Sequence, residues 1–155
     1  DQDWTNLVDE SQAIRQGYLS FSEEGFVTRI RLSSNGRAFL TLKAHADGIA
    51  FHEFEYVVPA QEAESLWNLS RYKLTKVRHE LTLHKGNWVV DCFEGKNSPL
   101  VLAEVELASA DEEIDIPSWC GLEITGQYQW SNVALARSPI AEWSIEKRLN
   151  HRLET

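Results

Sequence analysis

At 155 residues the chain has room for a single domain with a substantial core, and 43% hydrophobic with 25% charged residues is the balance of a folded globular protein. Its net charge of −9 and isoelectric point near 5.0 exclude a broad nucleic-acid or anionic-membrane surface, so any anion site must be local. No apolar run approaches the roughly 20 residues that span a bilayer, and no signal-peptide pattern opens the chain.

Residues 1–13 are polar, anchored by Trp4 and Leu7, and read as a turn of helix or a loop. A first strand is expected over Ile14 to Leu19. Phe26 to Leu32 and Arg37 to Lys43 read as strands joined by the hairpin turn Ser33-Ser34-Asn35-Gly36. A loop over His45 to Ile49 leads to a strand from Phe51 to Val58, stopped by Pro59. The period then changes. Pro59 opens a segment with acids in its first turn and Ala63, Leu66 and Trp67 on one face, which predicts a helix to about Leu69. Strands follow over Leu74 to Leu83, Trp88 to Phe93 and Leu100 to Leu107, with Lys85-Gly86-Asn87 as a turn. The acidic run Ser109 to Asp115 reads as a solvated turn or short helix, and Gly121 to Thr125 as a short extended piece. Ser131 to Arg137 reads as a helix capped by Ser131, and Ile140 to Leu153, within a closing segment over 139–153, as an amphipathic helix.

This element order predicts one α+β domain over residues 1–155, with seven or eight antiparallel strands in a barrel-like sheet. Four strands carry like charges two residues apart: Arg29 with Arg31, Lys76 with Arg78, Glu53 with Glu55, and Glu104 with Glu106. Side chains alternate along a strand, so each pair shares a face while its apolar neighbours Ile30, Val77, Phe54 and Val105 take the other. Charged faces turned outward would leave an apolar-filled barrel; turned inward, they would make a charged cavity with helices covering the outside.

Guanidinium groups grip phosphate oxygens with fork geometry, so Arg29 and Arg31 are candidate phosphate ligands, although one such pair reads equally as a solvated strand face. Lys76 and Arg78 repeat the pattern, and Lys43 faces the same way as Thr41. Together they could neutralise much of a triphosphate. Glu104 and Glu106 interrupt an apolar strand, with Asp91 on a neighbouring one, and such hard oxygen donors suit Mg²⁺ or Mn²⁺. Glu53 and Glu55 could be ligands, could orient the arginines, or could face solvent.

Other chemistries find no support. His45, His52, His79, His84 and His151 have no metal-ligand spacing and read as surface residues, and the six tryptophans read as packing residues. Cys92 and Cys120 lack metal-motif spacing and read as reduced thiols in a cytoplasm. No G-x-S-x-G, P-loop or G-x-G-x-x-G occurs.

The stretches IRQGYLS (14–20), TRIRL (28–32), FLTLK (39–43), HEFEYVVP (52–59), LTKVRHEL (74–81), WVVDCFEG (88–95), LVLAEVEL (100–107), PSWCGLEITG (117–126) and SNVALA (131–136) resemble, in order, the CYTH family, or triphosphate tunnel metalloenzymes, most of all its short bacterial single-domain members. The resemblance implies a closed eight-stranded antiparallel barrel around a charged tunnel that holds a triphosphate and a divalent metal. Carried over, Arg29, Arg31, Lys43, Lys76 and Arg78 hold phosphate, with Glu53 and Glu55 on the acidic strand. Glu104 and Glu106 bind Mg²⁺ or Mn²⁺ with Asp91 nearby, and Lys43, Glu104 and Glu106 are the candidate catalytic groups. The family's E-x-E-x-K strand would lie before Asp1, and a chain without methionine reads as one with an incomplete N-terminus. A basic residue common in the family near the turn Gln127 to Val133 is replaced here, and Lys147 or Arg148 could supply that contact.

The expected activity is metal-dependent hydrolysis of inorganic tripolyphosphate or a related organic triphosphate. A polyphosphate- or nucleotide-binding module without turnover and an adenylate cyclase are the alternatives. The partner is a triphosphate-containing small molecule, not a nucleic acid or membrane, and the pattern is compatible with a homodimer.

Overall fold

The computed structural model describes residues 3–22, 25–46, 51–107, 109 and 112–151. A 3₁₀ turn over Asp3–Leu7 leads into β1 (Val8–Ser20), β2 (Val27–Ser33), β3 (Ala38–His45) and β4 (Phe51–Val57). Helix α1 (Ala60–Leu69) then returns the chain to β5 (Tyr72–Leu81), β6 (Asn87–Phe93) and β7 (Val101–Glu106). Short helices α2 (Asn132–Arg137) and α3 (Ile145–Asn150) follow.

The seven strands form one sheet in the order β4-β3-β2-β1-β5-β6-β7, every pair antiparallel. The 13-residue β1 is its spine, pairing β2 on one side and β5 on the other. The β2–β3 hairpin closes where Gly36 (φ 82°) donates its N–H to the Ser33 carbonyl at 3.0 Å. Gly17 on β1 meets the end of α1 so closely that a Cβ there would lie 2.4 Å from Ser70 Oγ.

Both faces of the sheet are covered in part. On the outer face, Ile30, Leu32 and Ala38 pack under Ala63 of α1, and Leu81, Trp88 and Val90 pack with Trp4. On the inner face, one end is sealed by Trp130, Leu135, Ile140 and Trp143 against Tyr18, Leu74 and Phe93. Apolar clusters therefore cover the outside from β3 to β6, leaving Phe54 and Tyr56 of β4 and Val101 of β7 exposed, and only one end of the inside.

The sheet is strongly curled. Lys43 on β3 and Glu104 on β7 lie five strand spacings apart in the order, roughly 24 Å in a flat sheet, yet their charges are coupled. The expected closed eight-stranded barrel is corrected to this open, curled seven-stranded sheet with β4 and β7 as its edges. Gly121–Thr125 forms no strand. It runs from Trp119 and Cys120 in an outer-face cluster to Ile124 in the inner-face one, so it rounds the sheet instead of extending it.

Other boundaries shift for local reasons. β1 begins six residues before the expected Ile14, because the polar stretch from Val8 pairs with β5. The closing segment is two pieces, a 3₁₀ turn over Ile140–Glu142 and α3. Trp143 is extended (φ −71°, ψ 144°), which breaks the helix and turns its indole into the inner core, and Ser144 Oγ accepts from the Lys147 N–H to start α3. The expected loop residues 47–49, positions 110 and 111 of the acidic run, Leu153, and the side chain of His45 lie outside the described set.

Candidate active site

Antiparallel register fixes which side chains share a face, because directly opposed residues lie on the same side. Gln16 of β1 opposes Arg31 of β2 and Leu74 of β5; Tyr18 opposes Arg29 and Tyr72. Arg29 opposes Thr41, and Thr41 opposes Glu55; Val27 opposes Lys43, and Lys43 opposes Glu53. On the other flank, Lys76 opposes Phe93, Arg78 opposes Asp91, Asp91 opposes Leu102, and Val89 opposes Glu104. All ten expected site residues therefore share the inner face: Arg29, Arg31, Lys43, Glu53, Glu55, Lys76, Arg78, Asp91, Glu104 and Glu106.

Their order across the sheet matters. The cations sit on β2, β3 and β5, in the middle. The paired glutamates sit on the two edges, Glu53 and Glu55 on β4 and Glu104 and Glu106 on β7. The curl turns these acidic rims towards a basic floor.

One part of the floor is locked. Lys76 is fully buried, its Nζ donating to Asp91 Oδ2 at 2.6 Å and Asn132 Oδ1 at 3.0 Å. Arg78 grips the same carboxylate in a fork, Nε to Oδ1 at 2.8 Å and Nη2 to Oδ2 at 2.7 Å, and reaches Glu104 Oε2 at 3.3 Å. Burial pushes the Asp91 carboxyl up, but the hydrogen bonds and charges of Arg78 and Lys76 outweigh it and hold Asp91 below its ordinary value. Burial lowers the Lys76 ammonium to about 8, because it shares its one carboxylate with the like charge of Arg78.

The other part is under-compensated. Arg31 makes no ion pair among the described residues, and burial together with Arg29 and Arg78 lowers it to about 10. Arg29 reaches Glu53 at 3.3 Å. The Nε atoms of Arg29 and Arg31 and the Oε1 of Gln16 are buried without a hydrogen-bond partner. An unmet buried polar atom costs about 1–3 kcal/mol, so the two unmet guanidinium donors mark a place that an anion could complete, while the Gln16 oxygen calls for a donor. Burial also lowers Lys43, whose ammonium lies 4.4 Å from the Phe51 ring centroid.

Four further inner-face groups were not among the expected site residues. Gln16 donates to the Tyr18 hydroxyl at 3.2 Å, and burial raises the Tyr18 phenol. Thr41 is buried and donates to Glu55 Oε2 at 3.4 Å. Asn132 reaches Lys76 from the first position of α2. Gln16 and Tyr18 had a weak signal, polar groups at alternate positions of a buried strand; Asn132 had none, because only the tertiary fold brings it there. Two expectations are refined. His79 packs at a tilt against Trp4, ring centroids 5.2 Å apart, and shares a hydrogen bond with Ser11, while His151 packs against Trp130 and Trp143, so these two are not simple surface residues. Arg148 is occupied by the carbonyls of Ile140 and Ala141.

A divalent cation fits the β7 rim by donor chemistry. Glu104 and Glu106 offer two carboxylates from alternate positions, and Mg²⁺ typically takes one or two carboxylates together with substrate oxygens and waters. No cluster of three His, Cys, Asp or Glu side chains able to hold a metal occurs among the described residues, in keeping with the capture of Asp91 by Lys76 and Arg78.

No family model matches the chain. It is 35% identical over 127 residues to the inorganic triphosphatase of Acetivibrio thermocellus, covering 81% of this chain and 80% of that one. It is 33% identical over 129 residues to the inorganic triphosphatase of Nitrosomonas europaea, with 81% and 84% covered. The crystal structure of the inorganic triphosphatase NE1496 superposes with a TM-score of 0.62 at 30% identity, over 82% of this chain and 86% of that chain. The chain belongs to the inorganic triphosphatase family.

Proposed function

We propose that this protein is a metal-dependent hydrolase of inorganic triphosphate, of the CYTH or triphosphate-tunnel type, acting on the inner face of the sheet. The observation that carries the reading is the basic floor between acidic rims, with the Nε donors of Arg29 and Arg31 buried and unpartnered. A triphosphate supplies the missing acceptors and offsets the crowding of Arg29, Arg31 and Arg78. Arg29, Arg31 and Lys43 hold one stretch of the phosphate chain; Arg78 holds another, with Lys76 adding its charge from beneath, where Asp91 and Asn132 keep it in place. Tyr18 and Gln16 add neutral polar contacts between them. Glu53 and Glu55 orient Arg29 and Thr41.

Glu104 and Glu106 are the groups that would hold Mg²⁺ or Mn²⁺, and Asp91 serves the cations instead. When bound, the ion supplies charge neutralisation at the terminal phosphate and a more acidic water. Water attacks the terminal phosphorus in line, and its bond to the bridging oxygen breaks, giving orthophosphate and pyrophosphate. This chemistry rests on placement and electrostatics more than on covalent participation by the protein. Inorganic triphosphate is favoured because, among the described residues, no feature of the inner face selects a base. The free thiols Cys92 and Cys120 support a reducing compartment such as the cytoplasm.

The test is phosphate release from tripolyphosphate across a Mg²⁺ and Mn²⁺ titration, with Glu104→Gln/Glu106→Gln as control. The expected result is metal-dependent release, lost or displaced to much higher metal concentration in the control. Release that ignores the metal and the control removes the metal assignment, and binding without release favours the module without turnover.

A further inference from the structure

A second cleft, about 330 Å³, lies at the sealed end of the inner face, on the outside of the seal. Its walls come from α2, α3 and the start of β5. Two cations line it. Arg137 lies 4.2 Å from the Phe21 ring centroid and 5.9 Å from that of Tyr72; Lys147 lies 3.7 Å from that of Trp143. Among the described residues neither has a carboxylate partner and no acidic side chain lines the cleft.

In a chain with 24 acidic against 15 basic residues, a recess whose described walls are cations and neutral groups stands apart. Aromatic faces hold both charges in position without neutralising them, since a ring quadrupole orients a cation and leaves its N–H donors free. Tyr128, Gln129 and Ser138 add polar groups on the same wall. The volume admits a small phosphate anion.

We propose that this cleft is a second anion site, taking a compact phosphate anion such as pyrophosphate between Arg137 and Lys147. It is separate from the inner-face site, and helix α2 connects the two: Asn132 at its start holds Lys76, and Arg137 at its end faces the cleft. Occupancy of the cleft needs no turnover, so it stands independently of the hydrolytic reading.

The Trp143 indole N–H, which donates to the Ser138 carbonyl at 2.8 Å on the cleft wall, is a local reporter. The experiment follows its ¹H–¹⁵N signal in the full chain during titration with sodium pyrophosphate. The expected result is a saturable shift that persists in Arg29→Gln/Arg31→Gln, where the inner face is disabled. In Arg137→Gln/Lys147→Gln, binding at the cleft weakens by about tenfold or more, as loss of charged hydrogen bonds implies. Arg137→Lys/Lys147→Arg, which keeps both charges, retains the shift. An unmoved Trp143 signal, an equal shift in the charge-removed variant, or a shift that disappears with Arg29→Gln/Arg31→Gln each overturns the proposal.

Discussion

Lys76 and Asp91 form an ion pair at 2.6 Å between β5 and β6, with side-chain exposures of 0% and 1%. Arg78 shares the same carboxylate, so one anion holds two cations under the floor of the site. Buried pairs of this kind are poor sources of net stability, but removing one partner strands a charge.

Asp91→Asn is therefore expected to destabilise the protein by about 3–5 kcal/mol, because it leaves the buried Lys76 without a carboxylate, beside an Arg78 that keeps only Glu104 at 3.3 Å. Lys76→Met should cost less, since Asp91 keeps the fork from Arg78. Urea denaturation of the two variants checks the ranking, and an Asp91→Asn variant as stable as the wild type contradicts it.

The pH dependence follows from the Lys76 shift. Its folded value, about 8, lies below the ordinary 10.5, so burial disfavours its charged form. Below pH 8 both states are protonated and the penalty is complete. Between about 8 and 10.5 the unfolded chain binds more protons, so this group's contribution to unfolding free energy rises with pH. Tripolyphosphate favours the charged form, so binding near pH 8.5 should take up more protons in the wild type than in Lys76→Met, the ligand's own ionisation being common to both. Calorimetric titrations in two buffers of different ionisation enthalpy measure that difference, and equal proton exchange in the two proteins contradicts it.

Arg31 combines burial with the like charges of Arg29 and Arg78. Arg31→Met should leave the ligand-free protein as stable or more stable, by up to roughly 1–3 kcal/mol, while weakening triphosphate binding. Thermal melts with and without tripolyphosphate separate the two effects, because a ligand raises stability by mass action. A variant that loses stability and keeps full ligand protection contradicts this role.

Gly17→Ala probes the scaffold instead of the site. The new methyl would sit 2.4 Å from Ser70 Oγ and 2.7 Å from its Cβ, where Ser70 ends α1. A loss of about 1–3 kcal/mol is expected from overpacking, with little change in triphosphate affinity. The double variant Gly17→Ala/Ser70→Gly should recover part of that loss in denaturant melts.

The shared face of the candidate site was legible because charge and strand period coincide. Arg29 and Arg31, two apart with Ile30 between them, give the face; Glu104 and Glu106 around Val105 give the opposite rim. What a single strand does not encode is which neighbours it meets. The lock of Lys76 on Asp91 depends on register between β5 and β6, and Asn132 arrives from 56 residues away. The closing segment misled for a local reason: its apolar spacing is helical, but Trp143 is pulled into the inner core and Ser144 restarts the helix. Gly121–Thr125 looks extended in composition, yet finds no sheet edge because its flanking anchors pack on opposite faces.

The central claim is that the basic floor acts as one triphosphate cradle. Phosphate release from tripolyphosphate in the presence of Mg²⁺ or Mn²⁺, compared between the wild type and Arg29→Ala/Arg31→Ala, tests it most directly. The account expects metal-dependent release by the wild type and a loss of about 100-fold or more in kcat/KM for the double variant, as the removal of two charged phosphate contacts implies. Release that is unchanged in the double variant contradicts it.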